Sequence, residues 1–399
     1  MNPFELHRIC MLMEPEPGNR MEVEGVLNPA ATRGPDGHLY LFPRMVAKDN
    51  YSRIGIARVV FDGAGEPRHV ERLGVALHPE APYERCSNGG GGCEDARVTF
   101  VEPLGHYVMT YTALSDRGPR IAFANSEDLI HWRRLGLATF EPFEGIQIDD
   151  VDNKDASVFP VAVPDPSGKP ALAILHRPLF RGTRPEEING DPETRVIDLH
   201  RESIWISYRD MDIKDGSQSR LCHFTSHRRL AAPVETWERL KVGCGAPPVL
   251  TRHGWMLLYH GVSEIGHEKH KRRFRYSAGV MVLSAENPSK VIYRSPDPVL
   301  TPELSQERQG TIANVVFPTG VDRRDDLGSP DRYDVYYGMA DTRIGVASLT
   351  VPETLPPWSP MAPSRSKLAI SPPGDSAEIP PGPSKTDPSQ HEALPAGKP

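Results

Sequence analysis

The sequence has no apolar run approaching the ~20 residues that a bilayer-spanning helix needs, so a helical membrane protein is excluded. Cysteine is scarce: Cys10, Cys86, Cys93, Cys222 and Cys244 make an odd number, and no Cys-x-x-Cys pair occurs. Neither a disulfide framework nor a zinc ribbon is therefore expected, and unpaired thiols are, even at Cys86 and Cys93 around a Gly-rich loop. Lys and Arg (46) are outnumbered by Asp and Glu (53), giving a net charge of −7. A nucleic-acid partner, which requires a clustered basic face, is not expected. The one basic run, Lys269-His270-Lys271-Arg272-Arg273-Phe274-Arg275, reads as a solvated loop. Glu5, His7, Arg8, Glu14 and Glu16 interrupt the first residues, so no signal peptide is expected and the chain reads as cytoplasmic. A small neutral or anionic substrate stays open, because a pocket can oppose the net charge.

Helical periodicity is also nearly absent, whereas Pro (41) and Gly (34) are abundant. Many short strands joined by turns follow from that balance. Three stretches are distinguished: residues 1–24 flank or close the body, 25–350 form it, and 351–399 turn to Pro, Ser and charge. The last stretch cannot bury enough apolar surface to offset its ordering entropy and is expected to be largely disordered. Trp358 and Leu368-Ala369-Ile370 are its candidates for local docking.

Within the body a three-strand pattern recurs five times. The first strands carry Asn28-Pro29-Ala30-Ala31, Asp95-Ala96-Arg97-Val98, Asp155-Ala156-Ser157-Val158, Gly245-Ala246-Pro247-Pro248-Val249 and Asn314-Val315-Val316-Phe317. Aromatic and β-branched second strands follow, such as Leu39-Tyr40-Leu41-Phe42 and Trp255-Met256-Leu257-Leu258-Tyr259. Third strands alternate small and apolar residues, as in Ile121-Ala122-Phe123-Ala124 and Ile344-Gly345-Val346-Ala347. The spacing, roughly 60 to 90 residues, is irregular in the way unequal loops make it. An all-β, five-bladed β-propeller is expected, with a β-sandwich as the alternative.

In a propeller the starts of the innermost strands converge at one mouth of the channel. Asn28, Asp95, Asp155, the Gly243-Cys244-Gly245 turn and Asn314 would meet there, and convergent polar groups in a concave site are candidates for binding or catalysis. Arg97 lies two residues beyond Asp95, so on a regular strand both side chains share a face. A structural Asp–Arg pair is the competing reading. The acidic run Asp149–Asp155 lacks the glycine and spacing of an EF-hand, and no metal site is expected. Arg44, His176-Arg177, Lys241 and His260 end or precede equivalent strands and, if they converge, make an anion site.

At these residues the chain resembles glycoside hydrolase family 130, the mannoside phosphorylases and related β-mannosidases, from about Gly25 to Leu349. The likeness rests on Asn28-Pro29-Ala30, Glu94-Asp95-Ala96-Arg97-Val98, Asn153-Lys154-Asp155-Ala156, His176-Arg177-Pro178, Gly254-Trp255 with Tyr259-His260-Gly261-Val262, Tyr276-Ser277-Ala278-Gly279, Asn314-Val315-Val316-Phe317-Pro318 and Tyr336-Tyr337-Gly338-Met339-Ala340-Asp341. The resemblance implies a five-bladed propeller and inverting chemistry with a single essential Asp as proton donor, which maps to Asp95. It implies that inorganic phosphate, as co-substrate and with no other cofactor, attacks a β-mannoside to yield α-mannose 1-phosphate. The donor would act through a sugar hydroxyl, unlike the usual inverting pair in which a second carboxylate activates water. Phosphate-binding positions map to Arg177, Lys241 and His260, with Lys154, Asn153 and Tyr276 beside them. Sugar-contacting positions map to Asn28, Arg44, Arg97, Asp155 and Asp341.

The chain departs from the family pattern at Ala96, where many members have Pro, at Cys244, and in an apparent insertion from Phe180 to Arg195. The expected partners are an oligosaccharide and phosphate, with a homo-oligomer left open. An inverting β-mannosidase using water and a non-catalytic glycan-binding propeller are the two competing readings.

Overall fold

The computed structural model describes residues 2–180, 201–211, 221–268, 271–329 and 331–358. The chain divides into Met1–Ala362 and Pro363–Pro399. The second unit, the segment Leu368–Ile370 and nearly all of the insertion expected at Phe180–Arg195 lie outside the described residues. Of the expected tail, Leu355 and Trp358 are described, and both pack against a hydrophobic cluster.

Four sheets account for the body, and the eight-stranded one divides at a short parallel pairing of Tyr51-Ser52 with Gly91-Gly92, giving five antiparallel blades of four main strands. Blade 1 comprises Gly25–Arg33, Leu39–Ala47, Tyr51–Phe61 and Pro67–Leu77, paired in that order. Blade 2 comprises Gly91–Val101, His106–Ser115, Gly118–Ser126 and Arg133–Leu137. Blade 3 comprises Asp152–Val158, Pro170–Leu179, Ile204–Asp210 and His223–Ala231. Blade 4 comprises Lys241–Cys244, Gly254–Glu268, Lys271–Leu283 and Val291–Arg294. Blade 5 comprises Val316–Arg323, Arg332–Met339 and Arg343–Thr350, and its outer strand is the N-terminal segment Glu5–Met13.

The hydrophobic clusters show how the blades form a ring. Phe42 and Ile54 of blade 1 pack with Met109 and Tyr111 of blade 2. Val108 and Phe123 of blade 2 pack with Ile174 and Trp205 of blade 3. Ile206 and Tyr208 of blade 3 meet Trp255 and Tyr259 of blade 4. Met256 and Leu258 of blade 4 meet Tyr333 and Val335 of blade 5. Tyr336 and Val346 of blade 5 close on Leu41 and Val59 of blade 1. Each blade is thus apolar on both faces, which is why second strands are nearly continuous apolar runs rather than alternating ones. The small residues of the third strands have a steric cause: a Cβ at Gly345 would lie 2.6 Å from the Tyr337 ring.

The basic run at 269–275 is not the solvated loop expected from its charge. Lys271–Arg275 belong to an arm of blade 4, paired with Ser263–Glu268, while Lys269 and His270 lie outside the described residues. Cross-strand pairs of opposite sign, Arg272 with Glu264 at 2.6 Å among them, stabilise this extension.

The N-terminal strand is held by more than its ladder. Arg8 donates to both oxygens of Glu307, at 2.8 and 3.0 Å, and Glu307 is fully buried and also accepts from the Tyr337 hydroxyl at 3.0 Å. Arg8→Ala strips a buried carboxylate of its counter-charge, so a loss of about 3 kcal/mol in urea-unfolding free energy is expected.

Candidate active site at the propeller axis

The inner strands of blades 1 to 3 share one irregularity. Their ladders slip between Leu27 and Ala30, between Glu94 and Arg97, and between Lys154 and Ser157. Inside each slip sits one residue with left-handed backbone: Asn28 (φ 45°), Asp95 (φ 49°) and Asp155 (φ 56°). Asn314, just ahead of the first strand of blade 5, has φ 62°. Asn and Asp tolerate this region better than other side chains, and a bulge re-aims the side chain it carries. The residues expected at strand starts therefore sit within bulges three or four residues into the strands of blades 1 to 3.

The bulge also changes the position of Arg97. Regular alternation would place it on the face of Asp95, but its guanidinium turns inward and is 1% exposed. It donates to the carbonyls of Gly245 (2.5 Å), Asp95 (2.8 Å), Ala96 (3.2 Å) and Cys244 (3.5 Å), and lies over the Phe317 ring at 5.8 Å. These bonds run to carbonyls rather than to the Asp95 carboxylate that a structural Asp–Arg pair would engage, so Arg97 braces the backbone.

One side of the axis is acidic. Asn28 Nδ2 donates to Asp95 Oδ1 at 2.9 Å, and Arg44 Nη1 lies 3.6 Å from the same oxygen. Arg44 Nη2 donates to Glu94 Oε1 at 2.6 Å, and its Nε to the Ser52 hydroxyl at 2.9 Å. Burial, with Asp95 and Glu94 adding repulsion against the pull of Arg44, raises the Asp341 carboxyl to about 6. Burial and Asp95 likewise raise Glu94 against Arg44. Glu94 and Asp341, both raised, thus lie with Asp95 as one carboxyl cluster around Arg44. Glu94 is the member not singled out as a site residue from the sequence, although it directly precedes Asp95.

The other side is cationic. Arg177 Nε donates to Asp155 Oδ2 at 2.6 Å, and Arg177 Nη1 is paired with Glu202. His260 Nε2 lies 3.7 Å from Asp155 Oδ2. Burial disfavours the Asp155 anion, but Arg177, with Lys154 and Arg97 behind it, outweighs that and holds the carboxyl well below its ordinary range. Burial depresses the His260 imidazole well below the usual value, and Arg177 and Lys241 add to this. His260 is therefore neutral at pH 7, and its buried Nδ1 has no hydrogen-bond partner. Lys241 Nζ sits 5.3 Å from the centre of the Tyr276 ring. Lys154, opposite Arg177 in the ladder, has its pKa lowered by burial and by Arg177 and Lys241. A side chain at Gly243 would collide with Asp155 and His260, so only glycine fits beneath them.

Asn153 is drawn away from this group into blade 3. Its amide nitrogen lies 3.0 Å from His176 Nδ1, His176 Nε2 lies 2.7 Å from the Ser207 hydroxyl, and that hydroxyl lies 2.8 Å from His227 Nδ1. His227 Nε2 ends the chain on the Glu141 carbonyl at 2.9 Å. A carbonyl only accepts, so His227 carries its proton on Nε2. Both rings are kept neutral by burial. Ser207 then donates to His227, His176 donates to Ser207, and Asn153 donates to His176: one proton arrangement satisfies the series.

The structure thus brings together Asn28, Arg44, Asp95 and Asp341 as one group, and Lys154, Asp155, Arg177, Lys241, His260 and Tyr276 as another. Arg97 and Asn153 are engaged in bonds that point elsewhere. Glu202 is the second site residue that the sequence did not disclose, since no motif surrounds it. Among the described residues, no group of three or more His, Cys, Asp or Glu side chains is placed to hold a metal ion.

The five blades thus carry a carboxyl cluster and a cationic cluster on their inner strands, a convergence of polar groups suited to a small polar substrate. The family model for glycoside hydrolase family 130, described as β-1,4-mannooligosaccharide phosphorylase, matches residues 13–356. The chain belongs to that family. It is 36% identical over 264 residues to a 1,2-β-oligomannan phosphorylase of Thermoanaerobacter sp. (strain X514), an alignment covering 65% of this chain and 68% of the relative. A β-1,2-mannobiose phosphorylase of the same organism is 32% identical over 261 residues, covering 64% and 66%. Among solved structures, β-1,2-mannobiose phosphorylase from Listeria innocua superposes with a TM-score of 0.63 at 22% identity, over 86% of this chain and 96% of that one. This likeness bears on the fold.

The raised Asp341 carboxyl carries a pH signature. A group whose pKa is higher in the folded state stabilises fully below its unfolded value and loses that contribution as pH rises through the folded value. Asp341→Asn removes the cost of ionising a buried carboxyl beside Asp95 and Glu94. At about pH 7.5 it is expected to add roughly 1–3 kcal/mol of stability, and at about pH 4 the gain should vanish. Thermal unfolding at the two pH values measures the difference.

Proposed function

We propose that the protein is an inverting β-mannoside phosphorylase, with Asp95 as proton donor and inorganic phosphate as nucleophile. The observation that carries the reading is the segregation of charge across the axis. Blades 1, 2 and 5 supply Glu94, Asp95 and Asp341 around Arg44, whereas blades 3 and 4 supply Lys154, Arg177, Lys241 and His260 around Asp155 and Glu202. An inverting displacement needs its acid and its nucleophile on opposite faces of the anomeric carbon, and this division provides two such faces.

In the proposed reaction a phosphate oxygen bonds to the anomeric carbon while the bond from that carbon to the glycosidic oxygen breaks. The departing oxygen gains a proton that originates on Asp95 and passes through a sugar hydroxyl. The products are α-mannose 1-phosphate and the shortened acceptor sugar. Phosphate arrives already anionic, so no general base is required, and the cationic side serves to hold and orient it. Asn28 and Arg44 fix the Asp95 carboxyl by direct contact. Membership of the phosphorylase family and the names of both Thermoanaerobacter relatives support the same reading. Five free thiols accord with a cytoplasmic setting.

Purified protein with a β-mannooligosaccharide is expected to form mannose 1-phosphate only when phosphate is supplied. Free mannose appearing at the same rate without phosphate would replace this reading with hydrolysis. Asp95→Asn should lower kcat by about 10²–10⁴-fold, the usual worth of a positioned acid, with the fold retained by circular dichroism.

A further inference from the structure

The cationic side of the site contains a carboxylate that the phosphorolytic reading does not use. Glu202 reaches Arg177 from just ahead of the third strand of blade 3, and its backbone bridges to Lys241. A guanidinium grips an oxyanion best through two parallel donors, and Arg177 has two such forks: Nε with Nη2, and Nη1 with Nη2. Asp155 engages Nε and Glu202 engages Nη1, so each fork already has one donor committed.

The two carboxylates are not equally fixed. Asp155 is 3% exposed, sits in a backbone bulge, and is shared by Arg177, His260 and Lys154. The Glu202 side chain is 15% exposed and stands at the end of a longer side chain. A phosphate dianion entering beside Arg177 meets a like charge where it needs a donor, and two like charges a few ångströms apart repel strongly in a partly buried site. The more exposed of the two, on the longer side chain, is the one placed to yield.

Resting on the phosphorylase reading, we propose that Glu202 is an internal competitor of phosphate: it occupies Arg177 in the empty site, is displaced by the incoming anion, and so sets the affinity for the nucleophile. Glu202 keeps the buried guanidinium from standing uncompensated while no phosphate is bound. The cost of displacing it is subtracted from phosphate binding. The substituted amide of Glu202→Gln still fills the space but no longer repels the anion.

The test compares full-length wild type with Glu202→Gln, using inorganic phosphate as the probe. Calorimetric titration without mannoside reads binding directly, and initial rates at fixed mannoside read KM for phosphate. Glu202→Gln is expected to bind phosphate about three- to tenfold more tightly and to lower KM in parallel, the size of one partly screened charge pair. Unchanged or weaker phosphate binding by a folded Glu202→Gln would make Glu202 a brace for Arg177 and overturn the inference. A second measurement needs no variant: in crystals of the wild type grown with phosphate, Glu202 should be found off Arg177. Phosphate seated with the Arg177–Glu202 pair intact overturns it equally. Neither binding measurement depends on turnover. A wild type that cleaves mannosides without phosphate defeats the functional reading, while a phosphate-dependent wild type with an unresponsive Glu202→Gln defeats only this one.

Discussion

The Arg97 guanidinium is the fixed point around which the axis is organised. It is buried, and its four hydrogen bonds end on carbonyls of blade 2 and of the Cys244-Gly245 turn in blade 4. Burial pulls its pKa down, and the nearby Asp95 and Asp155 oppose that pull. A cation bonded to neutral carbonyls is held by geometry rather than by one counter-ion, so it ties two blades at a set separation. Asp95 lies on one of those blades, and the His260 side of the site lies on the other. The gap between the Asp95 side and the His260 side is therefore inherited from a structural bond between the blades, not from the site side chains themselves.

The same economy appears in the bulges. A regular strand at the axis would turn alternate residues into the blade interfaces, where a carboxylate could not be solvated. One extra residue in left-handed backbone breaks the alternation and frees a polar side chain for the channel. Asn28, Asp95 and Asp155 thus combine a conformational task with a chemical one, and each is a residue type suited to both. The three bulged blades supply Asp95, its hydrogen-bond partner Asn28 and Asp155, the anchor of the cationic group.

Much of this was legible in the sequence, for identifiable reasons. Five blades could be counted because aromatic second strands and small-residue third strands recur, and both patterns have steric causes, as at Tyr337 and Gly345. The equivalence of Asn28, Asp95, Asp155 and Asn314 was visible in their places in the repeat. The conformation at those places did not, since a bulge is a register event between two strands and neither strand records it alone. Arg97 shows the consequence: period-two alternation put it beside the Asp95 carboxylate, and the slipped ladder turned it to the backbone. Asn153 shows another limit, because its partner His176 was visible only as a strand-terminating cation. Neutral, stacked on Phe140 at 4.6 Å and bonded to Ser207, that histidine belongs to the blade interior. The basic arm at 271–275 was hidden by its own charge, which is balanced across the hairpin by Glu264 and Glu268.

The pairing of Glu5–Met13 with Arg343–Thr350 has a consequence for how the molecule comes into being. The strand Glu5–Met13 has no ladder partner until more than three hundred residues have followed it. Until then the chain carries an unpaired strand ahead of an unclosed ring. Exposed strand edges of this kind invite pairing with other chains. Ring closure is also among the longest-range contacts the chain can make, and such contacts form slowly. The ring that protects the site once complete thus closes only after its final blade is made, and its vulnerable interval ends when Glu5–Met13 meets Arg343–Thr350.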